Sequence, residues 1–162
     1  MTPLLKFQLF FITVFLIANF GGKATAQSSA TKSFFDAEKA KKEIVVQNKI
    51  FSDALAKSDS VTVASIYTQD AKIFNHAVPT TNGHAEVISY YGEIIRAGIT
   101  KFNYTTVGVW GSDNNLVVEE GALTFSFPDG KVAVKGRYMI VWKRDGGKLK
   151  IFRDSFSADG KK

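Results

Sequence analysis

Two acidic side chains, Asp154 and Glu119, stand where acid–base chemistry would need them: in apolar segments, in step with aromatic neighbours. In 115–127, Glu119 and Gly121 share a parity with Val117, Leu123, Phe125 and Phe127. In 131–144, Val132, Val134, Tyr138, Ile140 and Trp142 take one parity, and Lys135, Arg137 and Lys143 the other. Side chains alternate between the two faces of a strand, so the apolar set faces the core. Glu119, Tyr138 and Trp142 are therefore expected to point inward. In 148–157, Ile151, Arg153 and Ser155 oppose Phe152, Asp154 and Phe156. Leaving Arg153 in solvent turns Phe152, Asp154 and Phe156 inward. Two carboxylates on one concave, aromatic-lined face raise each other's pKa by desolvation and like-charge repulsion. One could then serve as a general acid or base. The alternative is that each accepts hydrogen bonds from Tyr67, Tyr138 or Asn48 and holds a pocket floor.

The same reading gives a binding surface. Tyr67, Tyr91, Tyr138 and Trp142 could grip a flat apolar ligand, with Phe51, Phe156, Asn48 and Asn75 completing the lining. At helical and strand spacing, aromatics also serve as plain core. A hollow is expected where Glu119, Tyr138, Trp142 and Asp154 converge behind the helices. Asn75 and His76 fall at a strand end near its mouth, with His76 on the opposite parity, at the rim or surface. His84 opens a helix and is expected to be exposed. No nucleophile elbow, P-loop or dinucleotide-binding motif is present. With no Cys and only two His, the sequence offers no metal site and implies no cofactor.

These residues must be positioned by helices first and strands after. Asp36 to Lys57 has Ile44, Asn48, Phe51 and Leu55 on one face, which predicts a long helix. Asn48 is a polar intruder on that face, and a buried amide must find partners. Asp59 is a good N-cap for a short helix over 60–67. Thr68 to Asp70 reads as a turn and 71–75 as a brief strand. A loop follows, then a helix over 84–97 with Val87, Tyr91, Ile94 and Ile95 as its stripe and Gly98 after it. From Thr100 the period becomes two. Four strands, at 101–110, 115–127, 131–144 and 148–157, are divided by short turns, which implies antiparallel hairpins. The order predicts an α+β fold: a cone-like curved antiparallel sheet of four long strands plus one short strand, packed on three N-terminal helices.

The N-terminus reads differently. Lys6 precedes a nearly unbroken apolar run from Phe7 to Phe20, and Ala24-Thr25-Ala26 offers small residues at A-x-A spacing. This is the pattern of a secretory signal peptide over 1–26. The run is shorter than the roughly 18 residues of a membrane span, so no stable membrane anchor is expected. Cleavage near Ala26 would release the chain to the periplasm or the exterior. Residues 27–35 form a flexible lead-in, 36–158 the domain and 159–162 a tail. The chain carries 21 basic and 15 acidic residues, a net charge of +6. Its lysines cluster at 39–42 and 161–162, without the basic stripe and interleaved aromatics of a nucleic-acid binder.

Taken in order, Phe51-Ser-Asp-Ala-Leu-Ala-Lys-Ser-Asp59, Ile66-Tyr67-Thr-Gln-Asp70-Ala71, Gly83 opening a helix, Val118-Glu119-Glu120-Gly121, Tyr138 to Lys143 and Lys150-Ile-Phe-Arg-Asp154 resemble the nuclear transport factor 2-like superfamily. The nearest branch is that of SnoaL-like domains related to ketosteroid isomerase, and the resemblance covers about residues 40–157. It implies a cone with a pocket between sheet and helices, and dimers formed through the sheet. Here Val107, Val109, Met139 and Val141 would supply that interface. Ketosteroid isomerases use an aspartate base, a tyrosine and a protonated aspartic acid. The resemblance puts Asn75, Phe51 and, within a residue, Tyr138 at those places. Phe51 has no hydroxyl and Asn75 takes no proton, which argues against that reaction. Three readings follow: an exported domain binding a small apolar or aromatic ligand; an acid–base enzyme (isomerase, cyclase or hydrolase) using Asp154 or Glu119; and a dimeric association module with a vestigial pocket.

Overall fold

The computed structural model describes residues 34–75 and 78–160. The expected signal segment, most of the lead-in and His76 lie outside the described residues.

Helix α1 (Ala37–Ala56) starts where Asp36 Oδ1 accepts the Lys39 N–H at 2.9 Å. It buries Ala40, Ile44, Phe51, Ala54 and Leu55. Asp59 caps α2 (Ser60–Ser65), accepting the Thr62 N–H at 2.9 Å. Strand β1 (Tyr67–Asn75) and the two-residue β2 (Thr81–Asn82) lead into α3 (Gly83–Arg96), which buries Val87 and Tyr91. Gly98 follows with φ +83°, the left-handed conformation that ends a helix. Strands β3 (Lys101–Gly111), β4 (Leu116–Ser126), β5 (Val132–Asp145) and β6 (Lys148–Ala158) then form a meander. The fold is mixed α+β, as the order of elements predicts.

The sheet runs β2-β1-β6-β5-β4-β3, with α1 and α3 packed on its inner face. Three details differ from the sequence reading. First, β1 begins at Tyr67 and not at Ala71. It pairs with β6 in parallel, so the sheet is not antiparallel throughout. Tyr67 pairs with Ile151, yet the next pair is Lys72 with Arg153, so 68–71 bulge out of the ladder. A bulge and a turn use the same polar residues, which is why Thr68 to Asp70 reads as a turn.

Second, β6 changes parity. Val141 pairs with Arg153 and Trp142 with Ile151, leaving Phe152 as the extra residue of a bulge. Ile151 and Asp154 therefore both face the core, at 1% and 7% exposure. Asp154 and Phe156 turn inward as expected; Ile151 does so against expectation. Phe152 stays at the surface, where the Arg153 guanidinium stacks 3.5 Å from its ring centroid.

Third, β3 is bulged between Thr106 and Gly108. Val107 is left 72% exposed, while Val109 turns to the core side opposite Glu119. Val109 thus leaves the outer patch to which the alternation assigns it. Val132, expected inward, is exposed at the start of β5, and His84 is half-buried rather than exposed.

Candidate functional site

The ladder fixes the relation between the two acids. Glu119 pairs with Ile140 and Ile140 with Asp154, so both carboxylates rise from one row of the inner face, two strands apart. At the usual strand spacing their backbones lie about 10 Å apart. Ile140 between them is 1% exposed.

Each carboxylate has its own network. Glu119 has no solvent exposure. Its Oε1 accepts from Thr106 Oγ1 at 2.7 Å, Tyr138 Oη at 2.8 Å and Asn48 Nδ2 at 3.3 Å. Its Oε2 accepts from Trp142 Nε1 at 3.0 Å. A carboxylate offers about four acceptor sites, so four neutral donors occupy this one. The hydroxyl of Tyr138 reaches it because Gly121 has no side chain: a Cβ at 121 would lie 2.6 Å from Tyr138 Oη and 2.3 Å from the Thr105 carbonyl oxygen. Burial, with the Glu119 charge adding to it, pushes the Tyr138 phenol far up, so it stays a proton donor.

Asp154 is served differently. Its Oδ2 accepts from Tyr67 Oη at 2.8 Å, and Tyr67 Oη lies 2.6 Å from Tyr91 Oη. With Tyr67 donating to the carboxylate, Tyr91 donates to Tyr67. Burial pushes the Asp154 carboxyl up to about 6; the Tyr67 hydrogen bond opposes this and the Glu119 charge adds to it. Burial also raises both phenols well above their ordinary range.

Aromatic rings join the networks. Phe51 meets Tyr91 edge-on at 5.2 Å and Tyr104 at 5.5 Å, and Tyr104 meets Tyr138 at 5.3 Å. Around Asp154 the packing opens into a cavity of about 20 Å³, with Tyr91, Phe156, Tyr90, Tyr104, Phe102 and Phe125 in its wall. Tyr90 and Ile94 of α3 line both this cavity and a wider, open hollow of about 510 Å³. Asn75 is in the wall of the hollow, its Nδ2 donating to Tyr90 Oη at 3.3 Å.

The candidate residues thus separate. Asp154, Tyr91 and Phe156 line the inner cavity, and Asn75 lines the outer hollow. Phe51, Tyr67, Tyr138, Trp142 and Glu119 are packed core. Asn48 faces a polar groove between α1 and β3, shared with Ser52, Asn103 and Thr106. All four residues expected to enclose a hollow do face inward; Asp154 borders the inner cavity, and Tyr138 lines a separate open recess with Val107, Gly121 and Arg137. Sequence reasoning missed Tyr90, Tyr104 and Thr106. Continuing the alternation of Phe102 through β3 would have found Tyr104 and Thr106.

Residues 49–152 match the SnoaL-like domain family. The chain belongs to that family. The match spans everything from the middle of α1 to the bulge of β6, including Glu119 and its donors Thr106, Tyr138 and Trp142. Solved structures resemble this SnoaL-like domain at the level of the fold. A domain of unknown function with a cystatin-like fold from Nostoc punctiforme superposes with a TM-score of 0.66 at 9% identity, covering 78% of this chain and 81% of that one. An NTF-2-like protein of unknown function from Shewanella oneidensis gives 0.64 at 15% identity, covering 72% and 98%. A ketosteroid isomerase-like protein from Erwinia carotovora atroseptica gives 0.61 at 16%, covering 74% and 96%. No curated protein sequence matches significantly. Among the described residues of the SnoaL-like domain, no helix is long and apolar enough to cross a membrane.

Proposed function

We propose that this chain is an exported small-molecule-binding domain. Its ligand would lie in the open hollow beside α3 and direct its inner end toward Asp154 between Tyr90 and Ile94. The observation that carries this reading is the continuity of walls: Tyr90 and Ile94 border both the hollow and the cavity at Asp154. A concave, largely apolar site with few convergent polar groups and one perturbed acid is the usual form of a ligand pocket. Export rests on the apolar run and the A-x-A site before Gln27; intact mass of the protein expressed from the full sequence would then begin at Gln27.

The binding reading is tested by NMR titration with small aromatic fragments. Amide shifts at Tyr90, Ile94 and Ile99 are expected. They should vanish in Ile94→Trp, which fills the space beside Tyr90 while the fold's spectrum persists. Shifts confined to other surfaces would sink the reading.

A catalytic reading is favoured by one feature, a carboxyl raised to about 6 beside a cavity. Catalysis would then use Asp154 as the proton carrier, because four donors already engage Glu119. Turnover should fall at least 100-fold in Asp154→Asn, with a pH profile that bends near 6 in the parent protein.

Pairing of two copies through the outer sheet face is also proposed. Met139, Trp110 and Leu116 are each about half exposed there, beside the more exposed Val107.

A further inference from the structure

The charges around the hollow run against those of the whole chain. The protein carries a net +6, yet the charged residues lining the hollow, among the described residues, are Glu86 and Glu93. Glu86 Oε2 accepts the Asn82 N–H at 2.7 Å, and Glu93 has Arg96 at 3.9 Å with both side chains mostly in solvent. At the inner end the charged group in the wall, among the described residues, is again an acid, Asp154.

The rest of the inner wall has a matching chemistry. Six aromatic rings, Tyr90, Tyr91, Phe102, Tyr104, Phe125 and Phe156, surround the space at Asp154. Aromatic faces carry negative electrostatic potential and attract ammonium groups, most strongly where water is excluded. A carboxylate supplies the hydrogen-bond acceptor and counter-charge that a primary ammonium also needs. A space of about 20 Å³ holds one water-sized group, which is the size of –NH3⁺ and too small for –N(CH3)3⁺.

We propose that the ligand is a primary amine with an apolar body. Its ammonium head would occupy the aromatic cage against Asp154, and its body would lie along Ile94 and Ile99 in the hollow. Carboxylates and phosphates are disfavoured throughout this path by Glu86, Glu93 and Asp154. The proposal rests on the binding reading above and specifies its ligand.

The test is a matched set of probes titrated into the mature chain at pH 8, followed by NMR at the Tyr90, Ile94 and Ile99 amides. The probes are 2-phenylethylamine, 2-phenylethanol, phenylacetate and phenethyltrimethylammonium. The amine is expected to bind about ten-fold or more tightly than the alcohol, with the carboxylate and the trimethylammonium compound weaker than the amine. In Asp154→Asn the advantage of amine over alcohol should disappear. Alcohol or carboxylate binding as tightly as the amine would overturn the amine proposal and leave the pocket reading standing. An advantage that survives in Asp154→Asn would overturn the proposed seat of the ammonium head. Failure of all four probes to shift these amides at millimolar concentration would overturn the pocket reading, and the amine proposal with it.

Discussion

Glu119 and Asp154 stand on one row of the sheet with Ile140 between them, and they are in opposite situations. The first is fully enclosed by four donors; the second has a single phenol on one oxygen and a cavity beside it. That contrast separates the part of the site that holds the fold from the part that can do chemistry.

Asp154 should cost the fold stability at neutral pH. Its carboxyl is raised from 3.8 to about 6 in the folded state. Between those values the folded protein holds a proton that the unfolded chain has lost. The stability present at low pH therefore falls as pH rises toward 6, then levels off. A rise of about two units corresponds to about 3 kcal/mol. Asp154→Asn, close in shape and unable to ionise, should match the parent near pH 4 and exceed its stability by about that amount at pH 8. Urea unfolding at the two pH values measures this. An equal effect at both would show that the carboxyl is not raised.

Glu119→Gln should be destabilising. The amide turns one acceptor atom into a donor. Hydroxyls of Tyr138 and Thr106 can rotate away, but the N–H groups of Trp142 and Asn48 cannot. A loss of about 2–4 kcal/mol is expected, the cost of leaving buried polar groups facing one another unpaired. Trp142 fluorescence would follow the transition.

Gly121→Ala should be among the most damaging single-methyl additions in the sheet. The new Cβ would meet backbone oxygen at 2.3 Å as well as Tyr138 Oη at 2.6 Å, and backbone gives way least easily. About 3 kcal/mol or more is expected from the clash and the displaced tyrosine. Ala122, next in sequence and exposed, provides the control: Ala122→Ser should change stability by less than about 0.5 kcal/mol.

Met139→Lys should dissolve any pairing of copies while leaving each copy folded. Met139 is 51% exposed, so the substitution costs the isolated domain little. Sedimentation of parent and variant at equal concentration decides it. A parent protein that sediments as a monomer would rule out the sheet-face dimer.

Much of this architecture is legible because its signals are local. Asp59 caps the helix it announces, and the pairs Asp129-Gly130 and Gly146-Gly147 mark hairpins, with φ of +89°, +57° and +81° at the three glycines. The parity of Glu119, Tyr138 and Trp142 follows from an uninterrupted alternation. Bulges defeat that logic. One extra residue at Phe152 puts Ile151 and Asp154 on the same face, and another at Val107 sends Val109 inward. Tyr90 was legible: it lies three residues after Val87 and four before Ile94, on the same side of α3, and the packing of that helix against β1 makes it a wall.

The phenols between α3 and β6 have a polarity. While Asp154 is ionised, the protons of Tyr91 and Tyr67 both point toward the sheet. A protonated Asp154 can become a donor itself, and the whole row can then turn round and point at the helix. A single titration would thus be felt at Tyr91, one residue from Tyr90: the domain would carry a record of its surroundings' acidity in the direction of two O–H bonds.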